Sequence, residues 1–275
     1  PSLSGSGWLE RLLDEGAKYA FISNSDNLGA VLDPTLLSYF SKSGAPFMME
    51  VTRRTDADRK GGHLAKRTSD GRLILREVAQ CPEEDLEKFQ DIEKHQFFNT
   101  NNVWINLESL RDVMAASGGV LALPVIKNAK TVDPRDPESA PVFQLETAMG
   151  SAIECFEGSL AVDVPRSRFA PVKSTSDLLA LRSDAYELSD DGQIKLAPSR
   201  KGKPPVVKLA ADYRLVDALE NLGVPSLIGA DEISISGPVS FSDTVEVIGK
   251  VAFKNKGDSI EEIPAGVYQN ESWSV

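Results

Sequence analysis

Apolar residues near the start of the chain alternate between helical and extended spacing. Helical spacing occupies 8–13, and the run 18–23 (KYAFIS) is short and rich in aromatic and β-branched residues, as buried strands are. Asp33 before Pro34 is typical of a helix start, and 46–51 (PFMMEV) predicts a second strand. Strand, helix and strand in this order predict a βαβ unit with a right-handed crossover and a sheet that is at least partly parallel. The expected fold class is therefore α/β.

The middle of the chain carries shorter patterns of the same two kinds. We expect a charged loop over 56–62, a hairpin that turns at 69–71, and an exposed excursion over 190–205. The other elements predicted from pattern are a strand over 97–107, a helix over 144–156, a strand over 159–164 and a helix capped within 175–177.

The last segment of the chain follows a period of six. Apolar residues and turn formers recur at that spacing in three series: Ile233, Val239, Val245 and Val251; Ile235, Phe241, Val247 and Phe253; Gly237, Asp243 and Gly249. Such repeats are typical of hexapeptide β-helix faces, because each face directs one short strand inward and then turns. An ordinary meander is the alternative on this pattern alone. We expect a domain boundary near Ser226, with domains over 1–225 and 226–275.

Composition narrows the classes of partner. The chain has 275 residues, with 30 Lys and Arg against 41 Asp and Glu, so its formal net charge is −11. A field of that sign repels phosphate backbones and disfavours nucleic-acid binding, although local cations can still hold a small anion. Cys81 and Cys155 are too few for a disulfide framework and indicate a reducing compartment. No apolar run approaches the roughly 20 residues of a membrane span, so we expect a soluble, cytoplasmic protein with no membrane partner.

Polar residues directly follow the strand predicted over 18–23. Ligands of open α/β sheets bind beyond the carboxyl ends of strands, so 24–27 (NSDN) is a candidate site. The carboxylate of Asp26 can hold a divalent cation, and the asparagines can bind a sugar or a base. The alternative is a polar turn whose Asx side chains cap the backbone. Gly61 and Gly62 leave open either a close backbone approach to a ligand or a plain turn.

Two further clusters of polar residues can each be interpreted either as a ligand-binding site or as ordinary surface structure. The segment 99–102 (NTNN) is either a hydroxyl-binding cluster or a turn at the entry to a strand. Arg166, Arg168 and Lys173 form a basic stretch that suits phosphate, with a solvated surface run as the alternative. His63 and His95 have no second ligand at metal spacing and are interpreted as structural or surface residues. These patterns predict an α/β protein that binds a phosphorylated polar metabolite.

Six blocks of the sequence together resemble one family. They are SNSDNLGA (23–30), MEVTRRTDADRKGGHL (49–64), EVAQCP (77–82), FNTNNVWINL (98–107), QLETAMGSAI (144–153) and VPRSRFAPVKSTSDLL (164–179). In this order they resemble the eukaryotic-type UTP–glucose-1-phosphate uridylyltransferases, also called UDP-glucose pyrophosphorylases, over nearly the whole chain. The related enzymes that make UDP-N-acetylhexosamine differ at the FNTNN segment.

The resemblance implies a fold, a reaction and a cofactor. The fold is a glycosyltransferase-A-like nucleotide-sugar domain, with a mixed sheet and flanking helices, followed by a small left-handed parallel β-helix. The reaction converts UTP and glucose 1-phosphate to UDP-glucose and pyrophosphate with Mg²⁺, by in-line attack of the sugar phosphate on the α-phosphorus of UTP. A homo-oligomer formed through the β-helix is a further expectation.

The resemblance also assigns roles residue by residue. It implies that UTP is bound by Asn24, Ser25, Asp26 and Lys173. Asp26 is the implied Mg²⁺ ligand, and Lys173 is implied to stabilise phosphate charge in the transition state. The implied sugar-binding residues are Gly62, Glu77, Phe98, Asn99, Asn101 and Phe169. Two alternatives stay open: a non-catalytic nucleotide-sugar-binding or oligomerisation module, and a UDP-sugar pyrophosphorylase of broad specificity.

We predict that the 275-residue chain has negligible uridylyltransferase activity by itself. The family's glycine-rich loop with its lysine has no counterpart in this sequence, and 1–3 resembles the residues just after the family's Pro-Pro-Gly-His-Gly-Asp block. The chain then resembles the C-terminal portion of the enzyme, without the loop that cradles UTP. Pyrophosphate release from UTP and glucose 1-phosphate tests this, and measurable turnover by the purified chain would contradict it.

Overall fold

The computed structural model describes residues 2–55, 58–190 and 192–274. The chain divides into unit 1, Pro1–Asn24 with Leu32–Arg168, and unit 2, Ser25–Val31 with Phe169–Val275. The predicted boundary near Ser226 lies inside unit 2, and the division at that residue stays a prediction. The predicted charged loop begins at 56–57, which lie outside the described residues.

Unit 1 contains five helices and eight strands in its described part. The helices are α1 (Ser2–Gly5), α2 (Trp8–Asp14), α3 (Pro34–Ser43), α4 (Leu86–Phe89) and α5 (Leu107–Ala116). The strands are β1 (Tyr19–Ile22), β2 (Phe47–Arg53), β3 (His63–Lys66), β4 (Leu73–Arg76), β5 (Phe97–Asn106), β6 (Val125–Thr131), β7 (Pro141–Thr147) and β8 (Leu160–Asp163). Short 3₁₀ segments occupy Val78–Gln80, Glu83–Asp85, Met149–Cys155 and Arg166–Arg168.

Strand β5 organises the main sheet of unit 1. The six-stranded sheet has the order β4-β3-β5-β2-β8, and β1 also pairs with β5. β1 and β2 are both antiparallel to β5 at the same residues, so they lie on its opposite edges and run in the same direction. The predicted mixed sheet is confirmed, because β2 and β8 are parallel. The two strands of the predicted βαβ unit are not neighbours, because β5 lies between them.

Local chemistry explains where α3 begins and why a predicted helix is absent. The carboxylate of Asp33 accepts hydrogen bonds from the amides of Thr35 and Leu36, as the sequence predicted for this cap. The helix predicted over 144–156 is wrong in its first residues. Through Thr147 these pair with β6 in a hairpin, because β6 supplies their backbone partners, and Met149–Cys155 then forms 3₁₀ turns.

Unit 2 combines a small helical part with stacked parallel strands. Its helices are α6 (Thr175–Arg182) and α7 (Val216–Leu222), and Pro198–Arg200 and Ala211–Tyr213 are 3₁₀ segments. Its strands are β9 (Tyr186–Leu188), β10 (Ile194–Leu196), β11 (Val206–Leu209), β12 (Ser226–Ser236), β13 (Val239–Phe241), β14 (Val245–Lys254), β15 (Glu261–Ile263), β16 (Gly266–Gln269) and β17 (Ser272–Ser274).

The period of six corresponds to parallel pairing in unit 2. β12 is parallel to β14, with Ile233 facing Val251 and Ile235 facing Phe253, and β13 is parallel to β15. Seven of the eight repeated apolar residues are almost fully buried in one cluster, and the partly buried Phe241 packs against it. An antiparallel meander, the alternative on sequence alone, would not give this pairing. In both units, no helix of the described ranges is long and apolar enough to span a membrane.

We predict that Gly237→Ala destabilises unit 2 more than Gly202→Ala does. Both glycines have positive φ, 75° and 78°, where alanine costs about 1–2 kcal/mol. A Cβ at Gly202 meets no atom within 4 Å, whereas one at Gly237 overlaps the backbone carbonyl of Asn255. That overlap displaces the end of β14 and adds about 1–3 kcal/mol. Chemical denaturation of both variants tests the difference, and equal losses would contradict it.

Candidate functional site

A bulge interrupts the pairing of β2 with β5 inside the asparagine-rich segment. Val51 faces Asn99 and Met49 faces Val103, so a single residue of β2, Glu50, is opposed by three residues of β5. Bulges of this kind bend the strand and redirect its side chains. The predicted strand over 97–107 is confirmed, and the bulge gives the NTNN segment a conformation that a regular strand would not have.

Asn99 and Asn101 are held against each other by this bulge. Asn101 has a φ of 58°, in the left-handed region that asparagine tolerates better than most residues. The Nδ2 group of Asn99 donates to Oδ1 of Asn101 at 2.5 Å, and the amide of Asn101 donates to Oδ1 of Asn99 at 2.9 Å. An amide side chain has two donor hydrogens and two acceptor lone pairs, so this pair keeps capacity for sugar hydroxyls.

Gly62 and Glu77 lie beside the asparagine pair. The amide of Asn99 donates to the carbonyl of Gly62 at 3.2 Å. A Cβ atom at Gly62 would lie 2.5 Å from both carboxylate oxygens of Glu77, which follows β4 directly. Burial raises the pKa of the Glu77 carboxyl. Unit 1 thus brings together four of the predicted sugar-binding residues, although they span the chain from 62 to 101.

Gly150 is a neighbour that the sequence patterns did not single out. A Cβ atom there would overlap Nδ2 of Asn99 and lie 2.7 Å from Cδ2 of Leu75. The 3₁₀ segment that carries Gly150 therefore packs directly behind the asparagine pair. Its position inside the QLETAMGSAI block was the only available signal, because a single glycine in a sequence does not say which side chain it faces.

Phe98 is buried beneath Arg166 and is not exposed to solvent. It is 4% exposed, and the guanidinium of Arg166 sits 4.8 Å from its ring centroid. Arg166 also forms a two-point ion pair with Asp58, at 2.8 and 3.0 Å. The role of Phe98 in shaping a sugar pocket stays a prediction.

The basic stretch is used differently from either sequence-based interpretation. Arg168 is buried and forms an ion pair with the buried carboxylate of Glu50 at 2.7 Å. Arg168 is therefore not part of a solvated surface run, its charge is already paired and does not face an exposed phosphate, and Arg166 is paired with Asp58. Of the three cations, Lys173 alone is exposed without an ion pair among those that the described residues show.

Arg54 fixes the loop that leads to Gly62. Its guanidinium donates to the carbonyls of Asp58 and Arg59 on that loop, and to those of Phe89 and His95 on a second segment. A planar group with five donors can join several carbonyls in this way, whereas lysine cannot. The sequence patterns did not predict this role, because the four acceptors are backbone atoms.

The two histidines of the chain are structural. His63 is fully buried and its ring stacks on that of His95, with centroids 4.1 Å apart. Burial, followed by the electrostatic effect of His95 and Arg54, lowers the pKa of His63 to about 3. Both rings are therefore neutral near pH 7, as expected for packing residues at the base of the loop.

Unit 2 brings together Asp26 and Lys173, which are far apart in the sequence. The amide of Val172 donates to the carbonyl of Asp26 at 2.8 Å, and Oδ1 of Asn27 accepts from the amide of Ala170 at 2.8 Å. The backbone at Lys173 is held from the other side by Asp177, whose carboxylate accepts its amide at 2.9 Å.

The same aspartate takes part in the N-terminal cap of helix α6. Asp177 and Ser174 form a capping box, so the cap is Ser174 and lies just before the predicted 175–177. Of the other predicted residues, Asn24 and Ser25 are exposed and Phe169 is half-buried. Asn24 belongs to unit 1, and Ser25 and Phe169 belong to unit 2.

The surroundings of Asp26 can be compared with the way proteins hold magnesium. In the described part of the chain, no three His, Cys, Asp or Glu residues form a group that could enclose a metal. Mg²⁺ at nucleotide sites is commonly held by one or two carboxylates together with substrate phosphates and water. One half-buried carboxylate near an exposed lysine fits that mode and does not fit a metal cage made of protein alone.

The sequence as a whole decides the family. A family model described as UTP–glucose-1-phosphate uridylyltransferase matches residues 1–247. The chain is 41% identical over 268 residues to the UTP–glucose-1-phosphate uridylyltransferase of Hordeum vulgare, which covers 97% of this chain and 55% of that protein. The chain belongs to this family. It spans about half the length of the curated relatives that it matches.

Solved structures agree with the assignment to the uridylyltransferase family. UDP-glucose phosphorylase from Trypanosoma brucei matches with 51% identity and a TM-score of 0.86, over 99% of this chain and 59% of that one. A mutant UDP-glucose pyrophosphorylase from Leishmania major in complex with UDP-glucose matches with 47% identity and a TM-score of 0.83, over 99% of this chain and 60% of that one. The mixed α/β fold of this chain is therefore that of UDP-glucose pyrophosphorylases.

We predict that His63→Phe reduces the loss of stability in acid. His63 titrates near 6.5 when unfolded and about 3 when folded, so the unfolded state binds more protons between these values. The free energy of unfolding of the parent protein therefore falls as the pH drops from 6.5 toward 3, by on the order of 3 kcal/mol down to pH 4. Phenylalanine keeps the stacked ring and removes this contribution.

Denaturation at several pH values measures the effect. His95→Phe is the control, because His95 is less buried, and a smaller change is expected. Parallel pH profiles for the parent protein and His63→Phe would show that His63 does not carry the acid sensitivity.

Proposed function

We propose that the protein to which this chain belongs transfers the uridylyl group of UTP to glucose 1-phosphate, giving UDP-glucose and pyrophosphate. The observation that carries the proposal is the assembly of Gly62, Glu77, Asn99 and Asn101 at one place in unit 1. These residues are separated in the sequence, and the resemblance of the sequence blocks implies a sugar-binding role for each of them. The names of the relatives and the UDP-glucose bound to the Leishmania major protein support the same substrate class.

The proposed sugar site binds hydroxyl groups through fixed polar atoms. A carboxylate such as that of Glu77 can accept hydrogen bonds from two neighbouring hydroxyls. Asn99 and Asn101 supply both donors and acceptors, and their mutual hydrogen bonds restrict their rotation. Preorganised groups of this kind bind without further loss of side-chain entropy, which favours one sugar orientation.

The proposed nucleotide side uses Asp26, Lys173 and the exposed Asn24 and Ser25. Lys173 carries a positive charge in a protein of net charge −11, and it is proposed to contact the phosphates as their charge redistributes. Asp26 is proposed to hold Mg²⁺ together with the phosphates. When bound, Mg²⁺ supplies charge neutralisation at the phosphoryl oxygens.

The proposed chemical step requires no covalent intermediate with the protein. The phosphate oxygen of glucose 1-phosphate forms a bond to the α-phosphorus of UTP, and the bond to the bridging oxygen breaks as pyrophosphate leaves. Gly62, Glu77, Asn99 and Asn101 are proposed to orient the sugar, and Lys173 is proposed to stabilise phosphate charge. Positioning and electrostatic stabilisation are expected to account for most of the rate.

The finer architecture is part of the same proposal. The mixed sheet of unit 1 fits a glycosyltransferase-A-like domain, and the stacked parallel strands from β12 onward fit a left-handed β-helix. We propose that this β-helix forms the second domain, 226–275, and that it mediates homo-oligomerisation. Analytical ultracentrifugation with and without that segment tests the last point.

One assay tests the function. The protein translated from the complete reading frame is incubated with UTP, glucose 1-phosphate and Mg²⁺, and pyrophosphate and UDP-glucose are measured, with the 275-residue chain in parallel. Synthesis of UDP-glucose is the expected result. UDP-glucose binding without synthesis would favour a non-catalytic module, and equal rates with galactose 1-phosphate would favour a broad-specificity pyrophosphorylase.

We predict that Lys173→Ala lowers kcat by roughly a hundredfold or more, the loss typical of removing one preorganised charge contact. Asp26→Asn is expected to weaken the response of the rate to Mg²⁺ while the fold stays intact. Lys256→Ala and Asp243→Asn are the controls, because both residues are exposed in unit 2 and outside the proposed site. Near-normal turnover of Lys173→Ala, or an unchanged magnesium dependence of Asp26→Asn, would overturn the assigned role.

A further inference from the structure

The carboxylate of Glu50 is the most completely enclosed charge in the candidate site. Glu50 is 0% exposed, and Arg168 donates to both of its oxygens at 2.7 Å. Nδ2 of Asn102 donates to Oε2 at 3.0 Å, and the indole N–H of Trp104 donates to Oε1 at 2.9 Å. Four hydrogen bonds therefore fix this carboxylate in both position and orientation.

Glu50 also stands at the one position of β2 that faces the bulge. Its backbone carbonyl accepts the hydroxyl of Thr100 at 2.8 Å, and that hydroxyl oxygen accepts the amide of Asn102 at 3.3 Å. Thr100 and Asn102 flank Asn101 in the chain, so Glu50 holds the bulge on both sides of its centre. Without such contacts, the interrupted ladder would leave buried polar groups unpaired, which is costly.

Arg168 closes the same network from another part of the chain. Its carbonyl accepts Nδ2 of Asn102 at 3.3 Å, in addition to the ion pair between its guanidinium and Glu50. Asn102 thereby contacts both members of the pair. An ion pair buried in this way contributes little net stability, but removal of one partner leaves a buried charge uncompensated.

We propose that Glu50 is a positioning residue of the sugar site: its carboxylate, together with Arg168, fastens the β5 bulge and thereby sets the positions of Asn99 and Asn101. This inference rests on the proposed function, since it assigns the two asparagines to the sugar. Glu50 acts through Thr100 and Asn102, the chain neighbours of the asparagines. Glu50 therefore affects the substrate through the positions of Asn99 and Asn101, and its own charge does not contact the substrate.

We predict that Glu50→Gln raises the KM for glucose 1-phosphate about tenfold or more and changes the KM for UTP by less than about twofold. Glutamine has nearly the same shape, but its NH₂ group opposes an Arg168 donor, so the network must rearrange. Glu157→Gln is the matched control, because Glu157 pairs with Arg72 at 3.4 Å in the same unit and its side chain is 89% exposed. Trp104→Phe, which removes one donor to Glu50 without a charge, is expected to raise the same KM by a smaller factor.

A double variant separates positioning from stability. Glu50→Gln with Arg168→Met removes both charges, so the uncompensated cation of the single variant is absent and thermal stability is expected to recover. The KM for glucose 1-phosphate is expected to stay raised, because the fastening hydrogen bonds are still missing. Recovery of both the melting temperature and the KM would overturn the proposal and leave the pair a structural role only.

Amide hydrogen exchange tests the proposal independently of activity. The amides of Asn101 and Asn102 donate to side-chain acceptors inside the bulge and report its closure directly. In the protein from the complete reading frame, Glu50→Gln is expected to speed their exchange at least tenfold relative to Glu157→Gln. Unchanged exchange would overturn the positioning role, whereas absent UDP-glucose synthesis by the parent protein would overturn the proposed function instead.

Discussion

The candidate sugar site depends on one β-bulge, in which three residues of β5 lie opposite a single residue of β2. A regular strand would turn Asn99 and Asn101 to the same face but at a spacing set by the pleat. The bulge replaces that spacing with direct side-chain contact and puts Asn101 in a left-handed conformation. The strain of this conformation is offset locally, because the polar groups of the bulge find partners in Glu50, Thr100 and each other.

The loops around the site are held by backbone acceptors and neutral rings. Arg54 joins two segments through their carbonyls, and the stacked His63 and His95 pack beneath them without charge at neutral pH. An arginine bound to carbonyls keeps its full positive charge, in contrast to Arg166 and Arg168, which are neutralised by Asp58 and Glu50. Lys173 of unit 2 is exposed and has no ion pair among those that the described residues show, which is why the proposed function assigns the phosphate contact to it.

Local patterns in the sequence were sufficient where the deciding contact is local. The cap at Asp33, the hairpin of β3 and β4 and the strand β5 depend on residues a few positions apart, and each was predicted. The period of six also coincides with the parallel pairing, because Ile233 faces Val251 and Ile235 faces Phe253, which belong to the same two series. The prediction of a helix over 144–156 was wrong in its first residues because they pair with β6. The pairing of Arg168 was not predicted because its partner, Glu50, lies 118 positions away. Spacing alone carries no information about such partners, whereas the family motifs identified Gly62, Glu77, Asn99 and Asn101 without explaining how they meet.

Two glycines, Gly62 and Gly150, contribute to the site because they have no side chain. At Gly62 a Cβ atom would collide with the carboxylate of Glu77, and at Gly150 one would collide with the amide of Asn99. Each of the two polar groups therefore lies close against bare backbone, in space that any larger residue would occupy. Neither glycine has a positive φ, so conformational freedom is not the reason for glycine here; close approach is. The site is thus shaped from one side by the hydrogen bonds of the bulge and from the other by contact with backbone. Together these constraints restrict the two amides and the carboxylate that the proposed function assigns to the sugar.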